Sequence, residues 1–423
     1  MSWLSSTRRR HARAILLMPA VVALSACGGG DDAAAPTPGV SGDTIFIGAL
    51  TPLSDAVAVI GKPILGGLTV YFDRVNAEEG GVAGRYKVKV IAEDITYANP
   101  STTTQKYQKI RDQVALFGIV VGTDNVNGIL PLLAEDSVIA MPTTFDAEWV
   151  RNPNLLSWGI PYQLQAIHGV SYYLEKFGKE RKVCSLVLAT GYGEAVEEGV
   201  EYLAQQMGTQ VAAKARFRQD DQDFVAPVTQ LRNAGCEAVM LASLPGVTGK
   251  VLGAAAQLGF APRWIGTSPS WHQALAASPL RDYLQKNYWS SWDGPAPNDT
   301  SVAGVRLLAA SMAKYAPEQQ PDWYFNAGFL LGYGLHHLIE KAVGGGDLTR
   351  SGFMRAMTAM ETVSSDGLAS PYTYGAVEQR NPPRSGTIFR IDPTGPLGLA
   401  IEKTGVTSAA AESYTLPVHG ARK

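Results

Sequence analysis

Residues 44–50 read Thr-Ile-Phe-Ile-Gly-Ala-Leu, a short β-branched and apolar run of the kind that forms a strand buried on both faces. The segments downstream of it set the architecture. After a loop with Pro52 and Gly61, Leu65, Leu68, Phe72 and Val75 recur at helical spacing, and Gly80-Gly81 ends that helix. Residues 87–92 read as a second strand. Asn99-Pro100 supplies an N-cap and a first-turn proline for a helix through Arg111. Residues 115–121 form a third strand, 129–134 lie on a third helix, and 137–141 form a fourth strand. Strict alternation of strand and helix predicts a parallel sheet covered by helices on both faces.

The same beat restarts in the second half. Ile167, Val170, Leu174 and Phe177 mark a helix, and strands are expected at 183–189, 211–217, 237–243 and 264–266, with helices between them. Two rounds of one alternation predict two Rossmann-like α/β lobes. About 360 residues suit two such bodies better than one core. The segment Tyr-Trp-Ser-Ser-Trp-Asp-Gly-Pro-Ala-Pro at 288–297 breaks the rhythm. Helical spacing resumes at Val302, Val305 and Leu308 and again over 323–343.

The ends carry a different signal. Arg8, Arg9, Arg10 and Arg13 precede the apolar run 14–26, which is too short to span a bilayer and is interrupted by Pro19. It closes on Leu24-Ser25-Ala26-Cys27, the pattern of a bacterial lipobox. Residues 1–26 are therefore expected to be a signal peptide and Cys27 the lipidated N-terminus. Residues 27–42, small and rich in glycine, are expected to be a flexible tether. Residues 404–423 lack a periodic face and are expected to form a disordered tail.

Composition is ordinary for a globular body, with 46% apolar and 17% charged residues. The formal net charge is −2, and the signal holds four of the basic residues and none of the acids, so the remainder stands at −6. That balance argues against a nucleic-acid partner, which wants a basic surface. Beyond Cys27 only Cys184 and Cys236 remain, in or beside apolar strand-like runs. An oxidising compartment allows the two to pair but does not demand it. Neighbouring parallel strands rarely offer disulfide geometry, so small buried hydrophobes are the favoured reading and the pairing stays open.

Several segments together resemble the leucine/isoleucine/valine-binding family, the type I periplasmic solute-binding proteins of ABC importers. They are Ile47-Gly48-Ala49-Leu50-Thr51-Pro52-Leu53-Ser54, Val75 to Gly84, Glu93-Asp94 with Asn99-Pro100, and Ile119-Val120-Val121-Gly122. Met141-Pro142, Tyr192-Gly193, Asp223-Phe224 and Leu258-Gly259 come after these in order. The likeness covers residues 43–403. It implies an α/β fold of two lobes joined by three hinge crossings, placed near 156–160, 288–292 and 366–371. The N-terminal lobe would then hold 43–157 plus 294–367, and the C-terminal lobe 158–293 plus 368–403.

The resemblance also implies a clamshell that closes over a ligand beyond the carboxyl ends of the strands. The candidate ligand-binding residues are then Thr123, Asp124 and Asn125 after one strand and Thr143 and Thr144 after another. On the second lobe they are Tyr192, Leu244, Ser268 and Trp271. Thr and Asn side chains with a helix N-terminus suit a carboxylate, although the same residue types are ordinary helix caps. Tyr192 matches the family's cleft tyrosine, and Trp271 either stacks on a flat ligand or packs its lobe. Two departures stand out. The glutamate that pairs with an amino acid's ammonium is missing near Ser268, and Ile60 stands where an aromatic residue often precedes the glycine. Either Asp124 or Asp146 takes the ammonium, or the ligand has none.

Gly266-Thr267-Ser268-Pro269-Ser270 misses the nucleophile-elbow pattern at its last position, and Gly191-Tyr192-Gly193 lacks the third glycine of a dinucleotide loop. No histidine has a partner at metal-ligand spacing. Neither catalysis, a metal nor a cofactor is expected. The reading that results is a monomeric, membrane-tethered receptor that takes a small polar metabolite (amino acid, amide or organic acid) to an ABC permease. A sensor or adaptor using the same clamshell is the alternative, and an enzyme a remote one.

Overall fold

The computed structural model describes residues 37–417. The expected signal peptide, Cys27 and the tether up to residue 36 lie outside the described residues, as do 418–423. The first half builds β1 (Val40–Ser41), β2 (Thr44–Thr51), α1 (Ala58–Glu78), β3 (Lys87–Asp94) and α2 (Pro100–Ile110). It continues with β4 (Leu116–Val120), α3 (Thr123–Glu135) and β5 (Ala140–Pro142). β3, β2, β4 and β5 lie side by side and parallel, with β1 antiparallel at the start of β2. Ile45, Ile47, Ala49 and Leu50 are fully buried, as a doubly covered strand requires. Asn99 Oδ1 accepts from the Thr102 N–H, the cap read from Asn-Pro.

α4 (Tyr162–Phe177) then leads into β6 (Val183–Leu188), α5 (Gly191–Gln206), β7 (Ala213–Phe217), α6 (Val225–Asn233) and β8 (Ala238–Ala242). α7 (Pro245–Gln257), β9 (Arg263–Thr267), α8 (Arg281–Asn287) and β10 (Tyr288–Trp292) complete this round. The chain returns to the first body as α9 (Ala303–Tyr315), α10 (Trp323–Gly344) and α11 (Arg350–Thr358), then the small hairpin β11 (Thr362–Val363) and β12 (Tyr372–Thr373). It ends in the second body with β13 (Gly386–Ile391), β14 (Leu399–Val406) and α12 (Ala409–Ser413). The second sheet runs β14-β13-β10-β9-β8-β6-β7, parallel from β7 to β10 and antiparallel at β13 and β14. In each sheet the first long strand sits between the second and third. That reversal opens a crevice at the strands' carboxyl ends. No helix among the described residues is long and apolar enough to cross a membrane.

α10 is held on α1 by glycine. A Cβ on Gly67 would lie 2.0 Å from the Phe325 carbonyl, and one on Gly328 would lie 2.0 Å from the Ile64 carbonyl. Main chain meets main chain there, so no side chain fits without separating the helices.

Four expectations need correction. Val40–Ser41, assigned to the tether, pairs with Thr44 and Ile45. The tail from 404 is ordered as far as described: it finishes β14, forms α12, and buries Tyr414 and Leu416. Residues 288–292 are a strand inside the second sheet, and 366–371 lie in the loop between β11 and β12. The chain instead leaves the second sheet after Trp292 and rejoins it at Gly386. Last, Cys184 and Cys236 form a disulfide with Cα atoms 5.8 Å apart. Cys236 lies on the turn before β8, after Gly235 at φ +73°, so it escapes the geometry of paired parallel strands.

The passages between the sheets are tied to the chain around them. The buried Arg380, ahead of the last passage, donates through Nη1 to the Asn152 and Leu155 carbonyls, at 2.7 and 3.1 Å, ahead of the first. Asp293, where the chain leaves β10, accepts from Ser370 N–H at 2.7 Å and Ser370 Oγ at 3.0 Å.

Candidate functional site

The strand-end loops of both sheets converge on a cavity of about 110 Å³. Its wall is chiefly apolar. Phe145, Trp158 and Trp292 form an aromatic cluster, with Phe145 4.8 Å from each tryptophan ring. The Tyr162 and Tyr192 rings, 4.6 Å apart, continue it. Ile60 and Ile64 of α1, Leu308 of α9 and Leu330 of α10 extend the wall between helices of the first body.

α10 closes one side. Its N-cap Asp322 accepts from the Tyr324 and Phe325 N–H groups. Trp323 Nε1 donates to the Ser268 carbonyl at 3.2 Å, and Tyr324 OH to the Pro269 carbonyl at 2.9 Å. On another side, Gly191 N–H donates to Asp124 Oδ1 at 2.9 Å. These contacts join the first body to the second around the cavity.

Of the nine candidate residues, Thr143, Thr144, Tyr192, Leu244 and Ser268 line the cavity. Thr144 Oγ1 is bonded to Thr123 Oγ1 at 2.8 Å and Tyr162 OH at 3.1 Å, so Thr123 supports the wall from behind. Tyr192 turns its ring to the cavity while its hydroxyl bonds Thr267 Oγ1 at 2.5 Å; burial pushes that phenol up to about 12. Asp124 serves the bridge to Gly191. Asn125 is absent from the lining, and its Nδ2 donates to the Thr96 and Val121 carbonyls.

Trp271 is the clear correction. It is fully buried in the second body, donates to the Leu397 carbonyl at 3.1 Å and lies 5.8 Å from the Tyr288 ring, so it packs its own lobe. The short turn Ser268–Ser270 rotates the chain back before Trp271. Asp146, the other proposed ammonium partner, is absent from the lining and accepts from Gln163 Nε2 at 2.9 Å.

Asp293 is the one carboxylate in the lining among the described residues, which include no lysine, arginine or histidine there. Its oxygens are taken by Gly294 N–H and Ser370, and burial raises its pKa. Sequence reading missed the aromatic wall. The break at 288–297 was its one visible signal, since Trp292 lies in it.

A family model described as "Periplasmic binding protein" matches residues 44–396. The Leu/Ile/Val-binding protein homolog 8 of Brucella abortus (strain 2308) is 25% identical over 289 residues, covering 65% of this chain and 71% of that protein. Among solved structures, a fatty acid ABC transporter substrate-binding protein from Thermomonospora curvata superposes with TM-score 0.83 at 23% identity, covering 90% of this chain and 97% of that one. A branched chain amino acid ABC transporter from Thermus thermophilus with bound valine gives 0.75 at 17% identity, covering 88% and 99%. With two doubly wound sheets facing a shared cavity and a family match across most of its length, the chain belongs to the periplasmic binding protein family, of the leucine/isoleucine/valine-binding type.

Proposed function

We propose that the protein is a lipid-anchored extracytoplasmic receptor, monomeric, that encloses a small solute with an apolar body and passes it to an ABC permease. The observation that carries the reading is the aromatic wall contributed by both bodies to one cavity, with no free carboxylate for an ammonium. The small polar metabolite expected from sequence narrows accordingly: of amino acid, amide and organic acid, the acid fits best. The disulfide agrees with an oxidising compartment, and the lipobox at Cys27 supports the anchor.

Thermal melts of the body from residue 37 against a broad metabolite panel test the receptor role. A true ligand at about 100 times its Kd adds roughly 2.7 kcal/mol of stability. A flat response to every compound would remove the role. For the anchor, the full-length protein is expected in the membrane fraction and Cys27→Ser in the soluble one. Equal partition of the two would exclude acylation at Cys27.

A further inference from the structure

Two polar atoms in the cavity wall have nothing to bond. Thr143 Oγ1 and Ser268 Oγ are buried without a hydrogen-bond partner, and both residues line the cavity. One comes directly after β5 of the first sheet and the other directly after β9 of the second. Of the other polar residues in the wall, Thr144 is bonded to Thr123, Tyr192 to Thr267, Tyr324 to main-chain carbonyls and Asp293 to Ser370, while the half-buried Tyr97 and Asn326 also face the cavity. Buried hydroxyls are rarely left unpaired in folded proteins, and where they are, a missing ligand or water is the ordinary reason.

We propose that Thr143 and Ser268 clasp the two sides of the ligand's carboxylate, and that the ligand is an apolar monocarboxylic acid without an ammonium group. The proposal rests on the reading of this cavity as the solute site. A hydroxyl donates or accepts, so the hydroxyls alone do not choose the charge. The helices around them do. α7 begins at the cavity, where Leu244 lines it, and carries no side-chain cap. α3 and α5 begin there too, but the Asp124 carboxylate in the first turn of α3 already accepts from the Gly191 N–H of α5, so the open N-terminal field is that of α7. Helix N-termini leave N–H groups open and place positive field at that end, which favours an anion.

Charge also sets the upper limit. With no cationic side chain in the lining, a dicarboxylate or phosphate would leave a second negative charge uncompensated. The one carboxylate an ammonium would find there among the described residues is Asp293, whose oxygens already accept from Gly294 and Ser370. The remainder of the ligand meets Phe145, Trp158 and Trp292 and the aliphatic side chains of α1 and α9. A clasp with one hydroxyl on each body lets a single carboxylate draw the two together.

The test titrates the body from residue 37 with octanoate, phenylacetate, octylamine and phenylalanine. Tryptophan fluorescence reads binding, since Trp158, Trp292 and Trp323 line the cavity. At least one of the two acids is expected to bind, and the amine and amino acid are not. Thr143→Val and Ser268→Ala are each expected to weaken acid binding about tenfold without lowering the melting temperature of the free protein. Thr143→Ser is expected to restore most of the loss. Tighter binding of octylamine or phenylalanine than of either acid overturns the proposal, as does acid binding unchanged in both hydroxyl-deleted variants. If none of the four binds but another compound in the metabolite panel raises the melting temperature, the carboxylate assignment fails and the receptor reading stands. If nothing in that panel binds, both fail.

Discussion

Opening the Cys184–Cys236 bridge is expected to lower the stability of the second body by about 4 kcal/mol, the value that chain entropy gives for a loop of this length. The two cysteines are 52 residues apart, and the loop between them contains α5, β7 and α6. Unfolded and reduced, that stretch wanders freely; unfolded and oxidised, its ends stay together. The bridge therefore acts chiefly by narrowing the unfolded ensemble. In the folded state it adds little, because β6 and β8 are already hydrogen-bonded neighbours. Urea unfolding of the oxidised protein and of a Cys184→Ala, Cys236→Ala double variant measures the difference. A gap below about 1 kcal/mol would show that the fold does not depend on the bridge, against the entropy argument.

The second large effect is acid sensitivity centred on His168. This side chain is fully buried on α4, with Nε2 2.9 Å from the Arg384 carbonyl, and burial lowers its pKa to about 4. The carbonyl accepts from an Nε2–H that the neutral ring already supplies, so folding has no use for a second proton. In the unfolded chain the imidazole titrates near 6.5. Between those values the unfolded chain holds a proton that the folded protein refuses. Stability is thus full above about pH 6.5 and falls as pH drops toward 4, by about 2 kcal/mol at pH 5 and about 3 kcal/mol at pH 4. His336, whose pKa burial also lowers, pushes in the same direction. The His168 share is isolated with His168→Gln, whose amide offers the same carbonyl a donor without titrating. Its urea midpoint is expected to vary less between pH 7.5 and 5 than that of the parent. An identical slope in both proteins would remove His168 as the cause.

The alternation of elements was legible because it depends on neighbours in the chain. Ile45, Ile47 and Leu50 mark a strand, Leu65, Leu68, Phe72 and Val75 mark a helix, and β2 and α1 stand there. Strand-end loops were legible for the same reason, and five of nine candidate residues line the cavity. The wall itself was not. Trp158, Trp292 and Trp323 come from a linker, the end of β10 and the start of α10, and an aromatic side chain facing a cavity has the same sequence pattern as one facing a core. Trp271 shows the converse: its place in a strand-end loop pointed to the cleft, and one tight turn sent it inward. The disulfide was not legible because pairing depends on how the turn at Gly235 presents Cys236 to β6, which spacing along the chain does not reveal.

The bonds from Arg380 to the Asn152 and Leu155 carbonyls, and from Asp293 to Ser370, bear on how such a receptor would move. Three separate ribbons joining two bodies would permit bending, twisting and sliding alike. One pair of bonds ties the last passage to the approach to the first, and the other holds the exit from β10 to the β11–β12 loop, so a bend at one passage is felt at its neighbour and a concerted hinge is expected rather than independent sliding.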